Sequence, residues 1–288
     1  MERYLDILKR ILNEGVRKKN RTGIDTIAIA GAMFEHDMKD GFPLLTTKKV
    51  PYKNVRSEME FFVRGLTDKK WLQERGNPIW NQWCSPEKVP YGHDPETKAK
   101  MMDERDLGPV YGWQWRHFGA EYVGFDKDYT GQGVDQLSNL VRTLKSNPSD
   151  RRMIVTAWNP SDLSKMALPP CHHTFQVTVD EQRLNLIWMQ RSVDSALGLP
   201  FNIASYATLL HLLARETGLE EGKLVGQLAD THLYVNHLDG IEAQLERSPR
   251  QLPTIKTSPF KTIFDWNHEQ TALDGYDPHP AIKFQIAV

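Results

Sequence analysis

Apolar residues recur along the chain at two spacings, every three to four positions in some stretches and every second position in others. The first spacing is that of an amphipathic helix, and the second is that of a strand with one buried face. Helical spacing predicts helices at 2–14, at about 55–63, between Asp135 and Pro148, at 201–214 and after His237. Alternation predicts strands at 27–34, 153–158, 174–179, 184–189, 223–228 and 231–234.

Several predicted strands follow one another with only short turns between them, unlike the regular alternation of βαβ units. The pattern favours an α+β fold in a single domain over 1–288, with a mixed, mostly antiparallel sheet flanked by helices. Prolines and charges interrupt the chain after Trp83. We therefore expect a loop insertion of low regularity around 85–104.

Charge and cysteine content narrow the class of protein. Lysine and arginine (36) nearly balance aspartate and glutamate (37), so a bulk nucleic-acid binder is not expected. The chain has two cysteines, charged residues at its N-terminus and no apolar run of about 18 residues. These features predict a cytoplasmic protein without disulfides, signal peptide or membrane helix.

Cys171 is the candidate nucleophile. Two prolines precede it and His172 follows it, so a rigid turn presents the thiol beside a polar neighbour. The thiolate is the form that attacks, and we expect nearby positive charge to lower the pKa of Cys171 toward neutrality. The alternative is a buried structural cysteine, which is how we interpret Cys84.

Three arginine-containing segments favour an anionic substrate, and a phosphate in particular. Arg151 and Arg152 follow a turn, Arg191 precedes Ser192, and Arg21 lies close to a glycine that lets the backbone approach a ligand. Guanidinium groups bind phosphate oxygens bidentately. The alternative is that these arginines are solvated or form salt bridges.

Three polar residues near strand and helix ends suit a nucleotide. The carboxamide of Asn202 matches the edge of a pyrimidine, and it favours uracil over cytosine only if its orientation is fixed; the alternative is a helix N-cap. His232 and Tyr234 share one face of a strand and could donate to a sugar hydroxyl. Their alternative is a polar strand edge.

Glu58 and two tryptophans complete the candidate site. Phe61 and Phe62 follow Glu58 and could desolvate its carboxyl, which would raise its pKa, although most helical glutamates are solvated. Trp80 and Trp83 are more often core residues than a stacking platform for a flat ligand. The sequence holds neither a metal-binding cysteine–histidine pattern nor a phosphate-binding glycine loop.

These segments together resemble the folate-dependent thymidylate synthases, a family with a cysteine nucleophile. The resemblance extends over nearly the whole chain, and its motifs occur in the family's order. The matching segments are 21–23, 43–49, Glu58, 80–83, 108–112, 149–152, 168–172, 190–194, 198–206, 230–234 and 275–280.

The resemblance implies a role for each residue. Cys171 would add to C6 of dUMP, so that C5 can attack the methylene of 5,10-methylenetetrahydrofolate. Glu58 would move protons at the folate and at O4, Tyr111 would support the cysteine, and Arg191 and Asp194 would join them as catalytic residues. Nucleotide-binding residues would be Arg21, Arg151, Arg152, His172, Gln190, Arg191, Ser192, Asp194, Asn202, His232 and Tyr234. Folate-binding residues would be Lys48, Trp80, Trp83, Asp194, Gly198, Phe201 and Ala287.

The resemblance also implies an assembly and a product. The enzyme would be a homodimer with a face of the sheet at its interface, and Arg151 and Arg152 would reach the partner's phosphate. The products would be dTMP and dihydrofolate, with the folate as a co-substrate and no metal. The C-terminal tail would close over the folate together with Trp80 and Trp83.

Four segments depart from the commoner family sequence. The residues at 193–196 and 228–229 differ, the tail lacks an Ala-Pro pair, and Glu60 replaces an apolar residue expected near the folate. They leave open a dUMP hydroxymethylase, in which water instead of hydride quenches the exocyclic methylene. A nucleotide- or RNA-binding regulator without catalysis is a further alternative, which the intact Cys171, Glu58 and Asn202 disfavour.

Overall fold

The computed structural model of the protein describes residues 1–285. Its helices are α1 (Glu2–Glu14), α2 (Tyr52–Val63), α3 (Lys70–Gln73), α4 (Pro95–Asp103), α5 (Gly112–His117), α6 (Gln136–Ser146), α7 (Gly198–Thr217) and α8 (Leu238–Leu245). Its strands are β1 (Val16–Lys18), β2 (Thr26–Asp37), β3 (Ile154–Thr156), β4 (His172–Asp180), β5 (Arg183–Asp194), β6 (Glu220–Tyr234), β7 (Thr254–Thr257) and β8 (Thr271–Asp274).

A six-stranded sheet organises the domain, in the order β1-β2-β6-β5-β4-β3. The neighbours are antiparallel except for β5 and β6, which run parallel. Helix α7 connects these two parallel strands and packs against both of them and against α2. The predicted α+β class with a mixed, mostly antiparallel sheet flanked by helices is confirmed.

Helix α7 is buried on nearly every side because its residues are apolar all round. Fourteen of its residues are buried, from Leu199 to Ala214, which is typical of a helix inside a core. Gly218 ends it in the left-handed conformation with φ 72°. At the other end, Asp194 Oδ1 accepts hydrogen bonds from the N–H groups of Ala196 and Leu197, so a side chain of β5 shapes the entry into α7.

The structure corrects four local predictions. The insertion at 85–104 is not wholly irregular, because Asp94 caps α4 with Pro95 in its first turn. The strands predicted at 223–228 and 231–234 are one continuous strand, β6. Strand β5 continues beyond its predicted end to Asp194. Asn202 lies inside α7, so its interpretation as an N-cap is wrong.

The two faces of the sheet differ in exposure. Phe34, Gly226 and Trp188 lie side by side on β2, β6 and β5, and all three are buried. The opposite face carries Met33 on β2, which is 62% exposed, and the half-buried Met189 on β5, with β6 between them. None of the helices in residues 1–285 is both long and apolar enough to cross a membrane.

Candidate active site

Cys171 lies directly before β4, in a loop that Arg191 and Tyr111 hold. Its N–H donates to Tyr111 Oη at 2.9 Å, and its carbonyl accepts from the N–H of Arg191 at 2.9 Å. The Arg191 guanidinium donates to the carbonyls of Pro169 at 2.8 Å and Pro170 at 3.0 Å. The thiol is therefore presented by a fixed backbone, as the two prolines predict.

Burial raises the pKa of Cys171 although part of its surface stays accessible. The positive charges of Arg191 and Arg21 act in the opposite direction, and the carboxylate of Asp194 adds to the rise. The expectation that neighbouring charge lowers this pKa below its ordinary value is therefore wrong for the single chain, because desolvation outweighs both arginines. Arg191, Arg21 and Asp194 nevertheless all lie close enough to Cys171 for their charges to act on its thiol.

Tyr111 and His172 form an aromatic wall next to the cysteine. Tyr111 has φ 28° and ψ −91°, a strained backbone for a residue with a side chain. Its ring lies 4.9 Å from that of Phe62 and 4.5 Å from that of His172. Burial lowers the pKa of His172 to about 3, and the ring is hydrogen-bonded through Nδ1 to the hydroxyl of Tyr206 at 3.0 Å. His172 is thus neutral at physiological pH.

Glu58 is buried on α2 on the other side of Tyr111. Its Oε1 accepts a 2.8 Å hydrogen bond from Trp80 Nε1, and the Trp80 ring lies 5.9 Å from that of Tyr111. Burial raises the pKa of Glu58 to about 7, and the bond from Trp80 opposes the rise. The predicted desolvation is confirmed, and the carboxyl can hold or release a proton near neutral pH.

Two carboxamides lie next to each other where β5 meets α7. Gln190 Nε2 donates to Asn202 Oδ1 at 3.0 Å and to the carbonyl of Ser192 at 3.1 Å. Gln190 is buried, whereas Asn202 and Ser192 keep part of their surface exposed. The structure thus brings together the predicted base-binding amide and the strand that carries Arg191.

Lys48 lies under the first turn of α7. It donates to the carbonyl of Ala196, and its ammonium lies 4.6 Å from the centroid of the Phe284 ring. Burial lowers the pKa of Lys48 to about 8, and Asp194 opposes this effect. Gly198 opens the same turn and Phe201 is half-buried in it. Ala287, the remaining predicted folate contact, lies outside the described residues.

The parallel register of β5 and β6 pairs Asp194 with His232. His232 Nδ1 bonds Asp230 Oδ1 at 3.0 Å, and the His232 ring meets that of Tyr234 edge-on at 5.4 Å. Burial raises the pKa of Tyr234, Asp194 raises it further, and Arg21 lowers it. His232, Tyr234 and Arg21 therefore border the region that contains Cys171.

Arg151 and Arg152 are separate from this cluster within the chain. Arg152 pairs with Asp150 through Nε at 2.9 Å and Nη2 at 2.7 Å, and its side chain is 88% exposed. Arg151 is exposed in the same turn. Their predicted contact with a phosphate stays a prediction, because it requires a second subunit.

Two buried aromatic residues support the site and have no role in the sequence-based prediction. Tyr206 holds His172, and Trp188 Nε1 donates to Gln190 Oε1 at 3.1 Å. The signal for Trp188 was its two-residue spacing from Gln190, which places both on one face of β5. The signal for Tyr206 was its place one turn after Asn202 on the same helix.

Glu60 is buried on α2 and bonds groups outside the cluster around Cys171. Its carboxylate binds the N–H and ring of His268 and pairs with Arg64 at 2.7 Å. These partners are distinct from the residues around Cys171, and the expected position of Glu60 near the folate stays a prediction. Residues 1–285 contain no cluster of three candidate metal-binding side chains.

Comparisons with known proteins agree with this arrangement. A model of the thymidylate synthase family matches residues 2–288. The chain is 45% identical to a thymidylate synthase of Homo sapiens, over 99% of this chain and 90% of that protein. It is 44% identical to thymidylate synthase 1/2 of Encephalitozoon cuniculi, over 99% of this chain and 96% of that protein.

A longer relative matches only in part. The bifunctional dihydrofolate reductase-thymidylate synthase of Leishmania major is 46% identical over 99% of this chain, which spans 55% of that protein. The family match over almost the full length and the identity to two proteins of similar extent lead to one conclusion. The chain belongs to the thymidylate synthase family.

Proposed function

We propose that this chain converts dUMP to dTMP, with 5,10-methylenetetrahydrofolate as the donor of the one-carbon unit and the hydride, and releases dihydrofolate. The proposal rests on Cys171, whose backbone is held by a hydrogen bond to Tyr111 and whose thiol lies near the charges of Arg191, Arg21 and Asp194. The relatives named thymidylate synthase, at about 45% identity over the full chain, support the same reaction.

The nucleotide would lie along the ends of β5 and β6. Arg21, Arg191 and Ser192 hold the phosphate, and Asn202 faces the base. His232 Nδ1 bonds two oxygens of Asp230, so this nitrogen carries the proton. The other ring nitrogen, Nε2, would meet the 3′-hydroxyl of the sugar, and the predicted sugar contact of His232 stays a prediction. Tyr234 meets the same hydroxyl from its side of the strand.

The sulfur of Cys171 then forms a bond to C6, and the displaced π electrons move to C5 and O4 as an enolate. Arg191 and Arg21 stabilise the sulfur anion against the cost of its burial. The fixed loop at 169–171 keeps the sulfur in place, which converts the attack into an effectively unimolecular step. C5 becomes nucleophilic only because C6 is saturated.

Glu58 serves the proton transfers. A carboxyl with a pKa near 7 exists in both forms at neutral pH, so it can accept a proton and return it through water. Tyr111 lies between Glu58 and Cys171, and both groups influence its hydroxyl. This placement supports a role for Tyr111 in the water network between the two.

The folate would bind above the base. Trp80 and Trp83 are edge-to-face at 6.4 Å and supply an aromatic wall beside Glu58, and Phe201, Gly198 and Asp194 would complete the folate site. The tail approaches the same region, because Phe284 contacts Lys48 and the carbonyl of Gln285 bonds His237 at 2.7 Å. Closure by the tail over the folate would exclude water from the exocyclic methylene.

A homodimer supports the same site. The sheet face with Met33 and Met189 offers apolar surface for a second copy, and the exposed Arg151 and Arg152 could then reach the partner's phosphate.

We also propose a cytoplasmic location, since both cysteines are free thiols and the chemistry needs one.

The test is product analysis with dUMP and 5,10-methylenetetrahydrofolate. We expect equimolar dihydrofolate and a product heavier than dUMP by one methylene unit. A hydroxymethyl product without dihydrofolate would establish the hydroxymethylase instead, which the comparisons do not favour. Release of tritium from 5-labelled dUMP separates either enzyme from a regulator that merely binds nucleotide, because a binder cannot break the bond at C5.

A further inference from the structure

Trp188 is fully buried at the centre of β5, and the proposed reaction gives it no task. Its ring is stacked on that of Tyr206 at 5.4 Å and lies 6.0 Å from that of Phe34. Gly226 faces it on β6, where a Cβ would come within 2.4 Å of the indole ring. These contacts hold the indole ring of Trp188 in a single orientation.

The indole fixes the orientation of the Gln190 amide. Trp188 Nε1 lies 3.1 Å from Gln190 Oε1, and an indole N–H can only donate. The oxygen of Gln190 must therefore face Trp188, which turns its NH₂ toward the carbonyl of Ser192 and toward Asn202. Both of these acceptors agree with that orientation.

The Gln190 amide in turn fixes that of Asn202. Because Gln190 Nε2 donates at 3.0 Å, the group facing it must be Asn202 Oδ1, and the Asn202 NH₂ points the other way. A flipped Asn202 would place two NH₂ groups against each other. The indole N–H and the Ser192 carbonyl together thus set one orientation of the Gln190 and Asn202 amides.

We infer that Trp188 is a positioning residue that holds the Asn202 carboxamide in the orientation that reads uracil. The inference rests on the proposed function. Asn202 Oδ1 has a second lone pair for the N3–H of uracil, and Nδ2 donates to O4. Cytosine carries an acceptor at N3 and a donor at C4, so it requires the flipped amide that Gln190 opposes.

The first variant is Trp188→Phe, which keeps an aromatic ring and removes the N–H. Gln190 Oε1 then loses its donor in a buried position, which favours the flipped pair of amides. The measurement is the ratio of the inhibition constant of dCMP to the KM of dUMP. Because the Ser192 carbonyl still holds the native orientation, we expect this ratio to fall by about fivefold rather than to vanish, with little change in kcat.

Phe34→Leu is the matched control. It disturbs the packing of the same indole but leaves its N–H in place. We expect the dCMP-to-dUMP ratio to stay at the wild-type value. An equal fall in both variants would mean that packing, and not the indole proton, sets the selectivity, and the inference would be overturned.

Gln190→Glu tests the relay at its centre. When ionised, a carboxylate only accepts, so at alkaline pH it keeps the bond from Trp188 but needs the NH₂ of Asn202 in front of it. The ratio measured at that pH should fall further than in Trp188→Phe. An unchanged ratio in this variant would refute the proposed chain of hydrogen bonds from Trp188 to Asn202.

The proposed function and the role of Trp188 fail in different ways. A wild-type protein that does not convert dUMP would refute the proposed function itself. Normal dUMP turnover, with a dCMP-to-dUMP ratio that no variant changes, would refute only the role of Trp188.

Discussion

Trp80 Nε1 donates a 2.8 Å hydrogen bond to Glu58 Oε1, and this bond limits the rise in the pKa of the buried carboxyl. Burial favours the protonated form, while an N–H donor favours the ionised form. The two effects leave the pKa near 7, where proton exchange in both directions is possible. The bond therefore sets the pH range in which Glu58 can work.

Trp80→Phe should move the pH–rate profile to higher pH. Loss of the donor removes the effect that lowers the pKa of Glu58, so the value rises above about 7. The limb of the kcat/KM profile that requires ionised Glu58 shifts in the same direction. Trp83→Phe serves as the control, since it changes the neighbouring ring without touching this bond. A shift to lower pH in Trp80→Phe would contradict the assignment.

Glu58→Gln should stabilise the fold at alkaline pH. The carboxyl ionises at about 4.5 when unfolded and at about 7 when folded, so the folded state loses stability relative to glutamine as pH rises between these values. At pH 8 the variant should gain up to about 3 kcal/mol in its free energy of unfolding, and at pH 4 nothing. Denaturant titrations at the two pH values measure this. Equal gains at both would exclude ionisation as the cause.

Cys171→Ala should abolish turnover, at least about a thousandfold, because no other group can form the bond to C6. Equilibrium binding of dUMP should survive, since the arginines and Asn202 are intact. Cys84→Ala is the matched control: this second thiol is buried away from the cluster, and its loss should leave turnover measurable. Activity in Cys171→Ala would end the nucleophile assignment.

Complementation tests the reach of Arg151 and Arg152. Double replacement of both by alanine and the Cys171→Ala variant should each be inactive as homodimers. After unfolding and refolding as an equal mixture, about a quarter of the sites should regain activity, because half of the dimers are mixed and each holds one intact site. No recovery, despite mixed dimers detected by differently tagged chains, would show that the arginines act within their own subunit.

The sequence predicted the fold class and several residues that lie together around Cys171, but it did not predict the pKa of that cysteine. Strand and helix spacing located α1, α6 and β4 because each has one clear apolar face. The alternation did not predict that β6 is one continuous strand, because small and polar residues interrupt the pattern at Ala229 and Asp230. The pKa of Cys171 could not be foreseen, because it depends on how deeply packing desolvates the thiol compared with the distance to two arginines.

The Trp188 ring packs in the space beside Gly226, so a substitution at either position constrains the residue at the other. Any side chain at 226 would overlap the indole, and a small residue at 188 would leave a hole beside the glycine. The two sites should therefore covary among homologues: where residue 188 is aliphatic, a bulky side chain should occupy position 226. In such homologues the side chain at position 226 on β6 would have to orient the Gln190 amide instead of residue 188. Their discrimination between uracil and cytosine nucleotides should then depend on the residue at 226.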